Sequence, residues 1–427
     1  MNYPEAKWRH SSMVILPDNV IVEILSFLNV KSLMQLKCVC KSWKTLITCD
    51  PMFIKLHLKR SARNGHLALI YDEFNIIRLP LTSLISIKTT PLPANPYFHE
   101  PCFRDSFFHQ PDAPDPPYWS YLRVVGSCNG LLCLYGSVTS YYHNNNYQEI
   151  FLYLWNPATK TLSSKIVFIH VDEDDEINTP SLAGSWKFWF GYDNSTKNYK
   201  IVAFHRKVNE VRVLNLGDND NVWRHIHSFP VVPLDNFSHH PTSHQGINNP
   251  GVYVSGTVNW LASPNVSMYN FDWEVININR FVIVSLDLST ETYRQFLPPR
   301  PLGDHLVVSV EPTLVALMDS LCFFHDFNGT HFIIWQMKEF GFEESWTQFL
   351  KVSYKSIANY EPILFPLNLF PLCLSNDGET LIMVCEEDHS AILYNLRYDR
   401  GEKITIHSNL IQWFCANYYV ESLVPTS

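Results

Sequence analysis

A strand pattern that recurs five times between residues 150 and 406 constrains the fold more than any other feature of this sequence. Each copy has an apolar strand, a polar turn and a second strand that usually carries an aromatic residue. The copies begin at Leu152, Val211, Val282, Phe332 and Ala391. Each follows another pair of short apolar runs, so the repeating unit has about four strands.

A four-stranded sheet cannot bury both of its faces by itself. Stacking the copies around an axis buries the faces between neighbours and leaves only short edges. The repeat therefore predicts a mainly β protein with a β-propeller. Residues 66–100, together with the C-terminal run LIQWFCANYYVESL, are candidates for a sixth blade. A β-sandwich built from the same strands is the alternative, because the copies are unevenly spaced.

Residues 16–60 have a helical pattern instead. Asp18, after Leu16-Pro17, can cap a first helix. That helix has two apolar stripes, of which one is Val20, Ile24 and Phe27 and the other is Ile21, Leu25 and Leu28. A helix with a single buried face needs only one stripe. The second stripe therefore predicts a second surface that must be covered.

Three more short helices follow in the pattern. Ser32 can cap the second helix, and Asp50-Pro51 can start the fourth, because proline is accepted in a first helical turn. A helical unit of about 40 residues is rarely stable without a partner or a covalent staple. We expect it to dock either on the β domain of its own chain or on another protein.

The charge of the chain is uneven. The net charge is −9, so we expect no binding of nucleic acid through a basic surface. Residues 1–60, however, hold nine Lys and Arg against four Asp and Glu, a net +5 that leaves −14 for the remainder. This asymmetry predicts that the two parts of the chain meet different partners.

The cysteines and the apolar runs indicate the compartment. The ten cysteines include no C-x-x-C pair, and we interpret them, Cys38 and Cys40 included, as small packing residues in a reducing compartment. No apolar run follows a basic N-terminal start, and no stretch of about 18 apolar residues occurs. We expect no secretory signal, no membrane span, and a location in the cytoplasm, the nucleus or both.

The helical segment resembles an F-box. The residues that carry this resemblance are Leu16-Pro17, Ile24-Leu25, Leu28, 30–33, 38–43, Asp50-Pro51, Phe53 and 56–58. The remainder is similar to the F-box-associated, kelch-like domain of plant F-box proteins. The motifs that carry this similarity are SCNGL from Ser127, LWNPAT from Leu154, FGYD from Phe190, GTVNWL from Gly256, ESW from Glu344 and DG at Asp377.

The resemblance divides the chain into a polar leader (residues 1–15), a helical F-box domain (16–60) and a kelch-like propeller domain (61–427). It implies a non-catalytic, substrate-recognition subunit of an SCF (Skp–cullin–F-box) ubiquitin ligase. The F-box would bind a Skp-type adaptor and, through it, a cullin and a RING protein. The propeller would hold an unknown target for ubiquitination and proteasomal degradation. Kelch repeats usually carry paired glycines and this chain has none, so the number of blades stays open.

The resemblance also assigns roles within the F-box. The residues expected to contact the Skp-type adaptor are Leu16, Pro17, Ile21, Ile24, Leu25, Leu28 and Leu33. Those expected to form the internal core of the F-box are Val39, Trp43, Leu46 and Ile47. Skp adaptors are acidic as a class, which suits the net +5 of residues 1–60.

The propeller domain has few candidate chemical groups. Trp119, Tyr141, Tyr142 and Trp189 lie in or near predicted loops and are candidates for contacts with the target. No common nucleophile, phosphate-binding or dinucleotide-binding motif is present. The loop histidines His239, His240 and His244 lack Cys or acidic partners at ligand spacing, so we expect no metal and no cofactor.

Two other functions stay open from the residues themselves. One is an enzyme or a carbohydrate- or ligand-binding propeller with a helical extension, which would use aromatic platforms and a carboxylate pair in a central pocket. The other is a scaffold outside any ligase that uses its helical unit only to dimerise. Binding to a Skp-type adaptor distinguishes the three.

Overall fold

The structure, a computed structural model, describes most of the helical unit and the strands of the β domain. The described residues are 16–61, 65–71, 75–86, 118–142, 145–172, 186–205, 210–217, 222–228, 251–262, 276–277, 281–300, 307–308, 312–357, 369–385, 390–404 and 411–426. The polar leader lies outside them. The helices are α1 (Asp18–Ser26), α2 (Val30–Leu36), α3 (Lys41–Cys49), α4 (Pro51–Ser61) and α5 (Leu81–Ser86).

The caps of these helices follow the sequence only in part. α4 starts at Asp50-Pro51 as predicted, and Asp50 caps it, because its Oδ1 accepts from the amides of Met52 at 2.8 Å and Phe53 at 3.1 Å. The predicted caps of α1 and α2 are wrong. α1 starts after Pro17 with no side-chain cap, and the cap of α2 is Asn29, whose Oδ1 accepts from the amide of Ser32 at 2.8 Å.

The first three sheets differ in how many strands they contain. The first sheet consists of β1 (Gly65–Tyr71), β2 (Asn75–Pro80) and, from the C-terminal end, β26 (Ile411–Val420). The second consists of β3 (Tyr118–Cys128), β4 (Leu131–Tyr142), β5 (Asn145–Asn156), β6 (Thr161–Leu162) and β7 (Ile166–Asp172). The third consists of β8 (Trp186–Asp193), β9 (Asn198–His205), β10 (Glu210–Asn215) and β11 (Arg224–Ile226).

Three further sheets of four strands follow, with one short strand pair between them. The fourth sheet consists of β12 (Val252–Val254), β13 (Thr257–Ala262), β15 (Val282–Asp287) and β16 (Tyr293–Phe296). The short β14 (Ile276–Asn277) pairs with β17 (Val307–Val308). The fifth sheet consists of β18 (Thr313–Leu317), β19 (Ser320–Phe327), β20 (His331–Met337) and β21 (Trp346–Ser353), and the sixth of β22 (Leu369–Leu374), β23 (Thr380–Cys385), β24 (Ser390–Asn395) and β25 (Arg400–Ile404).

The six sheets are the blades of a β-propeller. The prediction of a propeller is confirmed, and the alternative of a β-sandwich is wrong. The number of blades, which the sequence left open, is six. The candidate sixth blade from residues 66–100 and the C-terminal run also exists, as the first blade. In it β26 pairs antiparallel with β1 and lies against β3 and β22, the inner strands of the two neighbouring blades. The last strand of the chain therefore closes the ring.

The turns explain how so few glycines suffice. In four hairpins an Asn or Asp side chain accepts amide hydrogen bonds from residues two or three positions later, at Asn156, Asp193, Asp287 and Asn395. The residue four positions after each has a positive φ, at Lys160, Lys197, Glu291 and Asp399. The side-chain hydrogen bonds stabilise a turn conformation that glycine would otherwise supply.

The two ends of the propeller differ. At one end, which we call the turn end, are the short hairpins between the first and second and between the third and fourth strands of a blade, such as Cys128 to Leu131 and Asn156 to Thr161 in the second blade. Because the strands are antiparallel, the connections that leave the second to sixth blades start and finish at the opposite end, the loop end. The connection that leaves the first blade starts at the turn end instead, where Pro80 at the end of β2 pairs with His66.

The third and fourth blades share a buried ion pair. Lys200 Nζ, in β9, lies 3.1 Å from Asp193 Oδ2 in the same blade and 3.0 Å from Glu291 Oε1 in the fourth blade. Lys200 and Asp193 are both buried. Burial raises the pKa of the Asp193 carboxyl, but hydrogen bonds from Ser195, Ser289 and Thr196 outweigh it and hold this pKa well below its usual range. The ionised carboxylate thus links the two blades.

We predict that Asp193→Asn lowers the free energy of unfolding by about 3 kcal/mol at pH 7, because it leaves a buried ammonium with one carboxylate fewer. Urea unfolding of the whole chain measures this. The pKa of the Asp193 carboxyl is lower in the folded state than in the unfolded state, where it is about 3.9. The contribution of this carboxylate to the free energy of unfolding is therefore complete above the unfolded pKa and is lost as the pH falls towards the folded one. The deficit of the variant therefore stays constant from pH 7 to about pH 5 and shrinks below about pH 4.

Asp287→Asn is the matched control for this change. Asp287 accepts the equivalent turn hydrogen bonds in the fourth blade, from the amides of Ser289 at 2.7 Å and Thr290 at 3.0 Å. Asparagine accepts the same bonds, so we expect a loss below about 1 kcal/mol. Equal losses for the two variants would show that Asp193 acts only through its turn.

Candidate functional site: the exposed face of the helical unit

The helical unit has a small core of its own. Its buried side chains are Leu25, Val30, Leu33, Ile47 and Phe53, and they are joined by Leu423 from the segment that follows β26. His57 of α4 is also buried, and its Nε2 lies 2.9 Å from the carbonyl oxygen of Leu28. Burial lowers the pKa of His57, so the ring is neutral at pH 7.

One face of α1 leaves large apolar side chains in solvent. Leu16, Val20, Ile24 and Phe27 are 47%, 36%, 50% and 62% exposed. Val20 and Ile24 lie in α1, Leu16 precedes its N-cap Pro17, and Phe27 is its C-cap. Their spacing of four, four and three residues places them along one side of the helix and its two ends, and we call them the apolar stripe. Val39 and Met52 of the same unit are exposed as well. Single exposed apolar residues are normal, but a row of four on one helix is typical of an interaction surface.

The stripe is fixed at its C-terminal end. The guanidinium carbon of Arg60, in α4, lies 4.1 Å from the centre of the Phe27 ring, and Arg60 Nη2 lies 2.7 Å from Glu23 Oε2. Lys31, Lys41, Lys44, Lys55 and Lys59 are exposed elsewhere on the same unit. A basic surface of this kind is the electrostatic complement of an acidic partner.

The predicted contact residues separate into two groups. Leu16, Pro17 and Ile24 are exposed, and Ile21 and Leu28 are half-buried. Two of the predicted contact residues need correction, because Leu25 and Leu33 are buried in the core of the unit. Of the two stripes on α1, the one with Leu25 turns inward and the one with Ile24 turns outward.

The predicted core residues are placed more accurately. Ile47 is buried, and Trp43 and Leu46 are half-buried against the same cluster. Val39 is a correction, since it is 62% exposed in the turn between α2 and α3. Cys38 and Cys40 are exposed rather than packed, and Cys40 Sγ accepts from the amide of Trp43 at 3.4 Å.

A second face of the helical unit, on α4, packs against the propeller. Ile54 and Leu58 of α4 pack against the apolar core between the second and third blades. Ala158, in the turn after β5, packs against the core of the helical unit. One of the alternatives that the sequence left open is therefore observed, because α4 docks on the β domain of its own chain. The apolar stripe remains exposed, apart from the Arg60 guanidinium over the Phe27 ring.

Comparison with known proteins identifies both parts. The family model described as "F-box associated beta propeller domain" matches residues 109–426, and the one described as "F-box domain" matches residues 14–55. The chain belongs to the F-box-associated propeller family. The helical unit is therefore an F-box, and its combination with the propeller supports the role of a substrate adaptor rather than that of an enzyme.

The relatives are plant F-box proteins. An F-box/kelch-repeat protein of Arabidopsis thaliana is 26% identical over 79% of this chain and 79% of its own length. The F-box protein CPR1 of the same plant is 24% identical over 83% of this chain and 78% of its own length. Another Arabidopsis F-box protein is 24% identical over 93% of this chain and 89% of its own length.

Solved structures are only distantly similar. An acylaminoacyl peptidase of Pyrococcus horikoshii matches with 9% identity and a TM-score of 0.34, over 67% of this chain and 39% of the peptidase. A GH43_1 enzyme of Xanthomonas citri matches with 8% identity and a TM-score of 0.33, over 71% of this chain and 87% of the enzyme. Likenesses at this level support no statement about activity.

The predicted target-binding aromatics fare differently. Trp189 is wrong as a surface residue, because it is buried in β8 with its ring 5.1 Å from that of Trp260 in the next blade. The backbones of Trp119, Tyr141 and Tyr142 lie in β3 and β4, and their side chains lie outside the described part. The sequence alone could not distinguish a buried strand position such as Trp189 from a loop position, because the strand register was not known.

The described residues were also compared with the requirements of a metal site and of a membrane-spanning helix. Within the described ranges no three His, Cys, Asp or Glu side chains come together as a metal site requires. His225 Nδ1 lies 3.0 Å from Glu210 Oε1, and His239, His240 and His244 lie outside these ranges. No described helix is both long and apolar enough to cross a membrane.

The neighbours Ile24 and Leu25 test the division of α1 into two faces. We predict that Leu25→Ala lowers the free energy of unfolding of the F-box by about 2–5 kcal/mol, because it opens a cavity in a filled core. Ile24→Ala lowers it by less than about 1 kcal/mol, because half of the side chain is already in water. Thermal unfolding of the two variants, followed by circular dichroism at a helical wavelength, measures the difference; equal losses would contradict the division.

Proposed function

We propose that this protein is the substrate-recognition subunit of an SCF ubiquitin ligase, in which the F-box binds a Skp-type adaptor and the propeller holds a target for ubiquitination and degradation. The observation that carries the proposal is the apolar stripe, Leu16, Val20, Ile24 and Phe27, exposed on an F-box whose helix α4 is packed on the propeller. The adaptor brings a cullin, and the cullin brings a RING protein.

The stripe has the properties of a protein-binding surface. Its four side chains are large, adjacent and held on a helix whose other face is buried, so little order must be gained on binding. A stable interface buries about 1,600 Å² in total, which α1 alone does not provide. Val39 and Met52 of the same unit are further exposed apolar side chains that an adaptor could cover, and the exposed lysines of the unit favour an acidic adaptor.

A ligase subunit of this kind contributes position rather than chemistry. A conjugating enzyme held elsewhere in the complex transfers ubiquitin, so the adaptor only has to keep the target within reach. The propeller's thiols agree with this role. Burial raises the pKa of the Cys322 thiol to about 12 and also raises those of Cys128, Cys133 and Cys373, which disfavours the thiolate that a ubiquitin-accepting cysteine requires.

We infer that the target binds at the loop end of the propeller. The F-box lies at the turn end, where α4 leads into β1 and where the first residue of β1, Gly65, pairs with Val420, the last residue of β26. The connections that leave the second to sixth blades begin and finish at the opposite end, and recognition residues are concentrated in loops on a rigid scaffold. The two partners would then approach opposite ends without competing for space.

Adaptor binding tests the main proposal. We predict that Ile24→Ala weakens the affinity of the whole chain for a purified Skp-type adaptor roughly thirtyfold, the effect of losing about 2 kcal/mol at an interface hot spot. Val222→Ala is the control, because Val222 is 60% exposed but lies on the third blade. We expect it to leave the affinity unchanged in isothermal titration calorimetry.

Two results would contradict the proposal. If the wild-type chain bound no Skp-type adaptor, the F-box would serve another purpose, and a search for a carbohydrate or other ligand of the propeller would follow. If Ile24→Ala and Val222→Ala weakened binding equally, the contact would lie outside the apolar stripe.

Hydrogen exchange tests the position of the target. A target captured with the chain from cells in which the proteasome is inhibited should slow amide exchange at the loop-end strand termini, such as His205 and Glu210, which pair with each other. The turn-end residues, such as Asn156 and Thr161, should exchange at unchanged rates. Slower exchange confined to the turn end would place the target beside the F-box instead.

A further inference from the structure

The chain segment after β26 passes between the F-box and the propeller. Its residues point alternately to the two sides. Leu423 is 5% exposed and belongs to the core of the F-box, whereas Val424 packs into the core between the second and third blades. Because the segment contributes to both cores, it joins the two domains although it is far from the F-box in sequence. We call residues 421–426 the tail.

Asn156 holds the tail through its side-chain amide. The residue is fully buried, and its Nδ2 donates to the carbonyl oxygens of Ser422 at 3.1 Å and Val424 at 2.7 Å. Its Oδ1 accepts from the amides of Ala158 at 2.9 Å and Thr159 at 3.2 Å. One half of the amide therefore forms the turn that the other hairpins also have, and the other half binds the tail.

Gly130 gives the tail its space on the other side. Its φ is +81°, and a Cβ at this position would lie 2.6 Å from the carbonyl oxygen of Val420 and closer still to Ser422. Any other side chain would both strain the backbone and displace the tail. Gly130 and Asn156 stand in the SCNGL and LWNPAT motifs, so both motifs of the second blade meet on the same stretch of chain, residues 420–424.

The F-box completes this contact from its own side. Ile54 and Leu58 of α4 pack against the same inter-blade core as Val424, and Ala158 of the LWNPAT turn packs against the same F-box core as Leu423. His66 of β1 adds a polar contact, with Nε2 3.7 Å from Glu421 Oε1. Apolar contacts on both faces of the tail thus hold the two domains against each other.

We propose that Gly130, Asn156 and the tail form a seat that locks the F-box onto the propeller as one rigid body, with Asn156 and Gly130 as positioning residues. The Nδ2 group of Asn156 acts on the F-box through its hydrogen bonds to the tail. The turn hydrogen bonds that its Oδ1 accepts are not part of this effect. A lock of this kind keeps a target on the propeller at one distance from whatever the F-box binds, and so raises its effective concentration there. That consequence rests on the proposed function, but the lock itself does not.

The substitution Asn156→Asp separates the seat from the turn. Aspartate keeps the acceptor for Ala158 and Thr159 but has no donors for Ser422 and Val424, whose carbonyl oxygens then lie beside a buried carboxylate. We predict that amide hydrogen exchange in the tail and in α3 and α4 becomes about tenfold faster or more, while β5 and β6 keep their protection. Exchange is measured by mass spectrometry on the full-length chain without any partner.

Asn395→Asp is the matched control. Asn395 accepts the same turn hydrogen bonds in the sixth blade, from the amides of Arg397 and Tyr398, both at 3.0 Å. This variant should leave exchange in the F-box within about twofold of the wild type, because an aspartate oxygen accepts the hydrogen bonds from the amides of Arg397 and Tyr398 as well as the asparagine oxygen does. Leu423→Ala provides a second variant on the tail itself, in case Asn156→Asp does not fold, and should release α3 and α4 in the same way.

The lock is refuted if Asn156→Asp and Leu423→Ala leave exchange in the F-box unchanged. It is also refuted if Asn156→Asp accelerates β5 and β6 as much as α4, because Asn156 would then act only in its own blade. Since no adaptor is present in these experiments, their outcome is independent of whether the F-box binds a Skp-type protein.

Discussion

Closure of the ring by the last strand is the constraint on which the rest of this structure depends. β26 completes the first blade by pairing with β1, so the propeller cannot close until the whole chain is present. The same pairing brings the C-terminal tail to the point where α4 enters the propeller. The F-box, which is too small to be stable by itself, thereby gains a covered face and one core residue, Leu423, from the far end of the chain.

The surplus of apolar residues in the F-box is resolved by geometry. The unit has three sets of apolar side chains: an internal core, a face of α4 packed on the propeller, and the apolar stripe of α1. Burial of the first two leaves the third rigid and exposed. An apolar surface on a rigid helix loses little conformational entropy on binding, so its burial contributes more fully to affinity.

The blades are joined by polar as well as apolar contacts. Four turns are closed by the side chains of Asn156, Asp193, Asp287 and Asn395, and each of these polar side chains is buried or half-buried at the turn end. Two of them also make a second contact: Asp193 accepts a hydrogen bond from the Ser289 hydroxyl of the next blade, and Asn156 donates to the tail. A motif that first serves a turn can in this way become a contact between domains.

The sequence determined the class of each part, because periodicity and side-chain chemistry are local properties. Five strand repeats favoured a propeller over a sandwich, two stripes on one helix indicated two different apolar faces, and Asp50-Pro51 indicated the start of α4. Only the tertiary structure decided which stripe faces inward, since Ile24 and Leu25 are equally apolar and adjacent. The burial of Trp189 and the insertion of Leu423 into the F-box were likewise beyond local patterns. Both depend on which distant segments the closed ring brings together, and contacts of that kind leave no periodic trace in the residues that make them.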